Sequence, residues 1–408
     1  MRIIAYETSS NDTKILLGES TSEHLLSNDL NELFGFLLED YEDTIRICWD
    51  LDDTVSLFLR RMGHTLCAIL QKKHRCHLAP FSIFYIAGKV FSVEHIPTKR
   101  RFSLYGIEQY FPELPAPDNV VEVQMLGEKL MYELGKMGLH PTKLTSPIAI
   151  YEECVMRKLD LPKIDDIPIK AAELAYRCSG RLWIESHQLG YFDHVFDYDL
   201  RAAFPNALKD LVDIRDCRCV HSSKYQEKAI YGYANCFVTI YNGVMVHPII
   251  FDIEEGLISP TGIRELVLDK GKMDFITKHK IGEFKILDGY WLIPFRTLRK
   301  PLEEPMMGLL KYRERTGLQQ LLAKKILVGA YGKLGEEWEE EWDEQFGPYF
   351  NPVWFAESSS QPTVQVAEFL YSHGVGPGDN EGYKHLIHIG VDGVMLDKPI
   401  ESIKKEGK

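Results

Sequence analysis

The segment Phe196-Asp197-Tyr198-Asp199-Leu200-Arg201-Ala202-Ala203-Phe204-Pro205 is the most informative stretch of this sequence. It joins a strand-like run, residues 192–198, to a helix-compatible run, residues 202–211. The strand would deliver the carboxylate of Asp199 at its C-terminal end, directly before the helix begins. The plainer explanation is that Asp199 only caps that helix. The segment predicts a strand-to-helix junction that carries an acid, with capping and catalysis as the two explanations.

Two further segments carry side chains suited to the same chemistry. In Lys324-Lys325-Ile326-Leu327-Val328-Gly329-Ala330-Tyr331-Gly332-Lys333, Lys324 and Tyr331 are two helical turns apart and share one side of a helix. In His388-Ile389-Gly390-Val391-Asp392-Gly393-Val394, Asp392 lies at the turn of a predicted hairpin. Taken singly, the lysine is explained by an extended, solvated side chain, and Asp-Gly by turn formation. The ordered set favours catalysis.

These three segments resemble the palm motifs of family-B DNA polymerases of the viral, protein-primed type. Residues 199–205, 324–332 and 388–393 are similar in turn to D-x-x-S-L-Y-P, K-x-x-x-N-S-x-Y-G and Y-x-D-T-D-S. The departures lie at Ala202, Phe204, Val328, Gly329 and Gly390, where the family has serine, tyrosine, asparagine, serine and the first aspartate. Residues 351–354 also resemble the family between its second and third motifs. The resemblance covers roughly residues 170–398.

The resemblance implies template-directed DNA synthesis by two-metal phosphoryl transfer. Asp199 and Asp392 would be the catalytic carboxylates, and with the carbonyl of Leu200 they would hold two Mg²⁺ ions, for which Mn²⁺ could substitute. The dNTP would meet the side chains of Phe204, Arg313, Arg315, Lys324 and Tyr331.

Each implied nucleotide contact has its own role. Lys324 would neutralise triphosphate charge, Phe204 would exclude a 2′-hydroxyl, and Tyr331 would pack against the nascent base pair. Arg313 or Arg315 would assist Lys324 from two to three turns earlier on one long helix, predicted over residues 305–331. The sequence leaves that choice open.

The fold class implied is α/β followed by α+β: a degenerate ribonuclease-H-like 3′–5′ exonuclease domain at 1–165, then a family-B palm-and-fingers domain at 166–408. The second domain would contain an insertion at about 206–300, fingers helices at about 303–332, a second, acidic insertion at about 335–352 and a hairpin at 385–398. The family's thumb follows the third motif, but only sixteen residues follow Asp392 here. We expect that the sequence is a fragment, that the thumb comes from another chain, or that this is a minimal palm with poor grip.

The N-terminal half lacks part of the family's exonuclease motifs. Ala5 stands where the family has aspartate, by natural loss or by engineering, while Glu7 is retained. Asp52 or Asp53 could serve in the second motif, and only an out-of-register tyrosine–glutamate pair, residues 151–153, marks the third. Because two-metal hydrolysis needs its full set of carboxylates, we expect weak or absent proofreading.

Other segments imply contacts with DNA and with protein. Tyr176, Arg177 and Arg181 resemble the Tyr-x-Gly-Gly linker that touches the template in this family, although a plain hinge explains them equally well. Lys333 and basic clusters at residues 99–101 and 270–280 could contact phosphates. The expected partners are a DNA primer–template, dNTPs, and either a terminal (priming) protein docked on the insertion at 206–300 or a separate thumb-bearing chain. The alternative function is a non-catalytic, DNA-binding or partner-recruiting remnant.

The composition limits the classes to which the chain can belong. Its 408 residues exceed one typical domain, and 45% apolar residues suffice for hydrophobic cores. The formal charge of −13 argues against a protein that coats nucleic acid, but not against an enzyme with a local basic groove. Eight cysteines, no secretory pattern and no apolar run of about 20 residues predict a reduced, cytoplasmic protein without a membrane span. Clusters at residues 74–77 and 217–221 lack the Cys-x2-Cys spacing of zinc sites.

Overall fold

The computed structural model describes residues 2–8, 14–17, 22–25, 29–38, 44–253, 256–259, 261–337, 346–377 and 381–402. The chain divides into two compact units, Met1–Lys158 with Leu309–Ile326, and Leu159–Gly308 with Leu327–Lys408. Among the described helices, none combines the length and apolarity that crossing a membrane requires.

The first unit is built on one sheet whose eight described strands have the order β3-β2-β1-β4-β8-β7-β6-β5. Its strands are β1 Arg2–Thr8, β2 Lys14–Leu17, β3 Ser22–Leu25, β4 Thr44–Cys48, β5 Arg75–Leu78, β6 Phe81–Ile86, β7 Val90–His95 and β8 Arg101–Gly106. Its helices are α1 Leu30–Leu37, α2 Leu51–Lys73, α3 Val120–Lys136 and α4 Pro147–Cys154. Strand β4 pairs in parallel with β1 and β8, and its buried side chains place it within the core.

The second unit has two four-stranded sheets, β10-β18-β17-β9 and β11-β16-β12-β15, and a pair β13-β14. Its strands are β9 Glu185–Ser186, β10 Phe196–Asp199, β11 Cys217–His221, β12 Tyr231–Ile240, β13 Phe251–Ile253, β14 Gly256–Ile258, β15 Gly262–Asp269, β16 Gly282–Pro294, β17 Leu386–Ile389 and β18 Gly393–Leu396. Its helices are α5 Ile169–Cys178, α6 Ala203–Lys209, α7 Lys270–His279 and α10 Pro352–Ser372. Helices α8 Glu303–Arg313 and α9 Leu318–Leu334 each have residues in both units.

Helix α10 and the sheet β10-β18-β17-β9 share one hydrophobic core. The alternation of β17 and β18 turns Leu386, Val394 and Leu396 inward, where they belong to the same buried cluster as Val366 and Leu370 of α10. The opposite face of this sheet carries exposed side chains such as Asp197 and Met395. One face is thus fixed by packing and the other is open to solvent.

Three expectations about the elements are wrong. The predicted helix over 305–331 is two helices, α8 and α9, because Gly317 takes a left-handed φ of 77° that glycine tolerates. Arg313 ends α8 and Arg315 lies between the helices, so neither shares a helix with Lys324. The apolar run over 244–250 predicts a strand that does not form, since Pro248 cannot donate to a ladder and Met245 instead donates to the carbonyl of Pro377 at 2.8 Å. The strand predicted over 192–198 shrinks to Phe196–Asp199.

Candidate active site at the ends of two paired strands

Asp199 and Asp392 lie at the same end of two neighbouring strands. Asp199 ends β10 and pairs with Gly393 of the antiparallel β18, so Asp392 stands one residue beyond that pair. The backbone N–H of Leu200 donates to the carbonyl of Asp392 at 2.7 Å. Because paired residues in such ladders have Cα atoms about 4.5–5.5 Å apart, the two acids come together although 193 residues separate them in the sequence.

The junction after β10 excludes capping as the role of Asp199. The N-cap residue of α6 is Ala202, three residues later, and its backbone is left-handed at φ 54° and ψ 46°. The left-handed backbone conformation costs alanine about 1–2 kcal/mol in steric strain. The packing around the buried Ala202 holds it in that conformation. The exposed carboxylate of Asp199 is therefore available for a ligand.

Gly393 holds the strands close beside Asp199. A Cβ on Gly393 would lie 2.9 Å from the carbonyl oxygen of Tyr198 and 3.3 Å from Oδ1 of Asp199. The first distance is shorter than real Cβ contacts. Glycine at this position therefore permits the ladder and leaves the Asp199 carboxylate in place.

We expect Gly393→Ala to destabilise the second unit by about 1–3 kcal/mol, because the added methyl group must push the β10 backbone away. Thermal unfolding measures this effect. The matched control is Gly390→Ala in the same hairpin, where the nearest atom to a new Cβ is 3.8 Å away. Equal melting temperatures for the two variants would contradict the close approach.

Three aromatic rings, one of them on α6, pack against one another in tilted geometry. The rings of Phe204 and Tyr331 have centroids 4.6 Å apart, and those of Tyr331 and Phe355 are 4.7 Å apart. Burial raises the pKa of Tyr331 to about 12, so its hydroxyl stays protonated at neutral pH. The structure thus brings Phe204 and Tyr331 together, as their expected roles require.

Phe355 also contacts these rings, although no motif in the sequence indicated it. A Cβ on Gly335 would lie 2.5 Å from its ring, and one on Gly180 would lie 3.9 Å away. Phe355 is thereby confined between α9 and the end of α5. The run 351–354 beside it resembled the family, but only the fold shows that the next residue contacts Tyr331.

The donor set suits a cation that keeps part of its water shell. Among the described residues, no three His, Cys, Asp or Glu side chains come together as a metal site. Asp199 and the half-buried Asp392 offer oxygen ligands at an open strand end. Mg²⁺ typically takes one or two carboxylates and completes its shell with water and phosphate oxygens. The residues therefore fit Mg²⁺ held jointly with a phosphorylated substrate.

Lys324, Arg313 and Arg315 belong to the first unit. Lys324 is exposed and lines a cleft of about 380 Å³ with Tyr110, Phe111, Lys129 and Leu321 among its walls. Arg315 donates to Oε1 of Gln319 at 2.9 Å and lies 4.6 Å from the centre of the Tyr312 ring. Lys324 and Arg315 are both exposed, but the guanidinium group of Arg315 already contacts Gln319 and Tyr312.

The linker residues form the end of α5. Tyr176 and Arg177 lie in its last turn, and Gly180 follows with a left-handed φ of 70°, two residues after the helix ends. The hydroxyl of Tyr176 donates to Glu337 at 2.5 Å. Arg177 is exposed and Arg181 half-buried.

Several expected basic contacts are ion pairs within the second unit. Lys333 pairs with Glu336 at 2.8 Å, and the buried Lys272 pairs with Asp269 at 3.0 Å. Lys278 pairs with Glu368 at 2.7 Å. The cluster at 270–280 is therefore the helix α7, and Lys272 does not face solvent. Residues 338–345 of the acidic insertion lie outside the described residues.

The remaining exonuclease-motif residues lie at the ends of the paired parallel strands β1 and β4 of the first unit and in the helix that follows β4. Ala5 is fully buried on β1, and Glu7 stands two residues on. Asp52, in the first turn of α2, accepts hydrogen bonds from the hydroxyl of Tyr85 and the N–H of Gly88, each at 2.7 Å. Asp53 is exposed in the same turn. Asp52 thus has a structural role in tying the β6–β7 turn to α2.

The cysteine–histidine clusters do not form metal centres in the described structure. Cys76 is buried while His77 is exposed, so these two point to opposite sides of β5. His221 is paired with Asp288 and stacks on Tyr290 at 4.7 Å. Burial raises the pKa of Cys217 to about 11.

Comparison with known proteins shows similarity at the level of the fold. No protein-family model and no curated protein matches the chain. Phi29 DNA polymerase complexed with primer-template DNA and incoming nucleotide substrates matches with a TM-score of 0.59 and 11% identity, over 97% of this chain and 79% of that one. Phi29 DNA polymerase complexed with single-stranded DNA matches with a TM-score of 0.60 and 9% identity, over 98% and 80%. The chain therefore has a fold like that of the family-B DNA polymerase of phi29.

Proposed function

We propose that this protein is a DNA-directed DNA polymerase that adds dNTPs to a primer terminus and releases pyrophosphate, in the replication of a virus or mobile element. The observation that carries this proposal is the pairing of β10 with β18, which places Asp199 beside Asp392. Two acids at the ends of neighbouring strands, on a fold like that of a polymerase, suit phosphoryl transfer better than any other chemistry in the described chain.

In the proposed mechanism, carboxylates hold the metal ions, a lysine binds the triphosphate and aromatic rings bound the sugar. Asp199 and Asp392, with the carbonyl of Leu200, would hold two Mg²⁺ ions, which when bound make the primer hydroxyl more acidic and neutralise charge on the triphosphate. Lys324 binds the triphosphate as a point charge. Phe204, supported by Tyr331, bounds the sugar and excludes a 2′-hydroxyl.

The first unit is proposed to be an exonuclease-like domain with weak or absent proofreading. Ala5 supplies no ligand, and Asp52 is held by Tyr85 and Gly88. The insertion at 206–300 is proposed to dock a terminal protein if the primer is a protein. A thumb on a separate chain would add grip on the duplex. These assignments extend the resemblance and follow from the polymerase function.

The test of the proposed function is template-directed primer extension. The chain is incubated with a 5′-labelled primer, one of several templates that differ in their first unpaired base, Mg²⁺ and single dNTPs. We expect addition only of the complementary nucleotide, and no addition when EDTA removes the divalent cation. A chain that binds the primer–template without adding nucleotide, from DNA, RNA or protein primers, would instead be the non-catalytic remnant.

We expect Phe204→Ala to raise ribonucleotide incorporation, because the ring stacked on Tyr331 would no longer fill the space of the 2′-hydroxyl. A steric contact of this kind is worth roughly 1–3 kcal/mol, or about 10- to 200-fold in discrimination. The measurement is the ratio of kcat/KM for dNTP to that for rNTP. Phe237→Ala, at an exposed phenylalanine of β12, is the control. An unchanged ratio in Phe204→Ala would contradict the assigned role.

A further inference from the structure

In the segment 295–300, directly after β16, two exposed arginines pair with buried acids, and Lys300 pairs with the exposed Asp210. The side chains of Arg296 and Arg299 are 50% and 52% exposed, and the residue Phe295 is 60% exposed. Their carboxylate partners, Asp213 and Asp216, are completely buried. Each of these two arginines is paired with a buried carboxylate, so the guanidinium groups and the ring of Phe295 are the parts that reach the surface.

Asp216 holds the two guanidinium groups in fixed positions. Its Oδ1 accepts from Nε of Arg296 at 2.6 Å and from Nη2 of Arg299 at 2.9 Å. Its Oδ2 accepts from Nε of Arg299 at 3.0 Å and from that residue's backbone N–H at 2.8 Å. The hydrogen bonds from Arg299 hold the pKa of Asp216 down to about 2, so this acid is ionised throughout the physiological range.

A second acid fixes the same group. Oδ2 of Asp213 forms an ion pair with Nη2 of Arg299 at 2.8 Å and accepts a hydrogen bond from Nη2 of Arg215 at 2.7 Å. The backbone N–H of Asp213 donates to the carbonyl of Arg299 at 2.8 Å. Because the arginines are ordered before any ligand arrives, binding would cost little additional side-chain entropy.

Each exposed arginine keeps one end of its guanidinium group for a ligand. Arg296 and Arg299 bond through Nε and Nη2, which form one edge of the planar group. Within the described ranges, Nη1 of neither residue makes a hydrogen bond. Both groups donate to Oδ1 of Asp216, so the two guanidinium groups lie next to each other. The arrangement offers two neighbouring charged groups, each with a donor for a phosphate oxygen.

The exposed ring of Phe295 lies beside these donors. The guanidinium carbon of Arg296 is 5.3 Å from the centre of the Phe295 ring. Aromatic rings next to backbone-binding cations are the common device for holding single-stranded nucleic acid, since every base can stack on a ring. A carboxylate-bearing peptide would use the arginines but would have no need of the ring.

The site is one short helix away from the candidate catalytic strand. Lys300 pairs at 2.8 Å with Asp210, which is the C-cap of α6. Helix α6 begins after Ala202, and its seven residues rise about 10 Å. A few nucleotides of a single strand suffice for that span.

We propose that Phe295, Arg296 and Arg299 form an accessory binding site for single-stranded nucleic acid, with phosphates on the two Nη1 groups and one base on the ring of Phe295. This site adds a second contact to the proposed polymerase function, but its ligand binding is independent of the catalytic step. The ligand is single-stranded DNA rather than an acidic protein surface.

The test is equilibrium binding of a fluorescein-labelled oligothymidylate to the full chain, followed by anisotropy at several salt concentrations. We expect Phe295→Ala and Arg296→Lys each to weaken binding about tenfold. Arg296→Lys keeps a positive charge beside Asp216 but removes the planar guanidinium group. Loss of its phosphate contact should also lower the salt dependence of binding. The matched control Phe237→Ala, another exposed phenylalanine, should bind as the unaltered chain does. Thermal unfolding verifies that all variants are folded.

Two comparisons separate this inference from the proposed function. Asp199→Asn should bind the oligonucleotide normally even where primer extension is lost. If the unaltered chain never extends a primer while Phe295→Ala and Arg296→Lys still lose oligonucleotide binding, the polymerase function fails and the site stands. Unchanged oligonucleotide binding in both variants would overturn the site. So would variants that lose binding only to a labelled polyglutamate peptide, because the ligand would then be an acidic protein.

Discussion

Asp199→Asn and Asp392→Asn are each expected to reduce primer extension by at least about 10³-fold, while primer–template binding remains. The structure explains why either change suffices. The acids stand at the ends of paired strands and would share their cations, so removing one carboxylate leaves too little negative charge to hold them. The loss should appear in kcat more than in the affinity for DNA, because the acids act on the reacting groups.

The matched control is Asp197→Asn. Asp197 is an exposed acid two residues earlier on the same strand, and its replacement changes the net charge equally. We expect this variant to stay within about threefold of the unaltered chain. Single-turnover extension separates the chemical step from product release. The double variant should lose little more than either single variant, since the acids act as one unit. Full activity in Asp392→Asn would remove this site from the catalytic assignment.

Glu357→Gln is expected to stabilise the second unit at neutral pH. Glu357 lies buried in α10, where its Oε1 accepts from the hydroxyl of Tyr233 at 2.8 Å. Burial, with the nearby charge of Asp269, raises its pKa from 4.5 to about 8. Glutamine keeps the acceptor for Tyr233 and has nearly the shape of the protonated acid. The substitution therefore removes a titratable group that the fold must keep neutral.

The direction of the pH dependence follows from this raised pKa. Below pH 4.5 the carboxyl group is protonated in both states, so Glu357 costs nothing. Between pH 4.5 and 8 the unfolded chain ionises first, and the stability of the folded state falls as the pH rises. At pH 7 this loss is on the order of 2–3 kcal/mol.

Thermal unfolding of Glu357→Gln at pH 5, 7 and 8 measures the predicted difference. The melting temperature should change little at pH 5 and rise by on the order of 5 °C or more at pH 7. Glu283→Gln, at an exposed acid of β16, is the control for the change in charge. A uniform shift at all three pH values, or a lower melting temperature at pH 8, would mean that Glu357 is ionised in the folded protein.

The candidate site could be predicted from sequence where one short segment determines the local structure. Asp199 closes a strand before a helix, and Asp392 lies at a tight turn, so the order of motifs was enough to pair them. Phe355 could not be found in this way, because only the packing of α10 against α6 and α9 brings its ring to Tyr331. The hydrogen bonds of Arg296 and Arg299 to Asp216 could not be predicted either, because each arginine is about 80 residues from that acid in the sequence.

The helices show why local sequence patterns predict some helix boundaries wrongly. Helix α10 runs through Pro362 and the serines before it, residue types that locally favour a loop. In the structure, the hydroxyl of Ser358 donates to the carbonyl of Trp354 at 2.7 Å, and that of Thr363 donates to Ser359 at 3.1 Å. These bonds satisfy polar side chains that the helix buries in the core. The break at Gly317 was missed because the composition on both sides favours helix.

The pairing of β10 with β18 also governs when the active site can exist. Strand β10 has no partner within the described sheet until β18 is made, which begins 194 positions after Asp199. Closing so long a loop is entropically costly and makes assembly of this sheet slow relative to that of local hairpins such as β6–β7. A chain that ends before Asp392 would lack both the second acid of the candidate site and the strand that holds Asp199 in place.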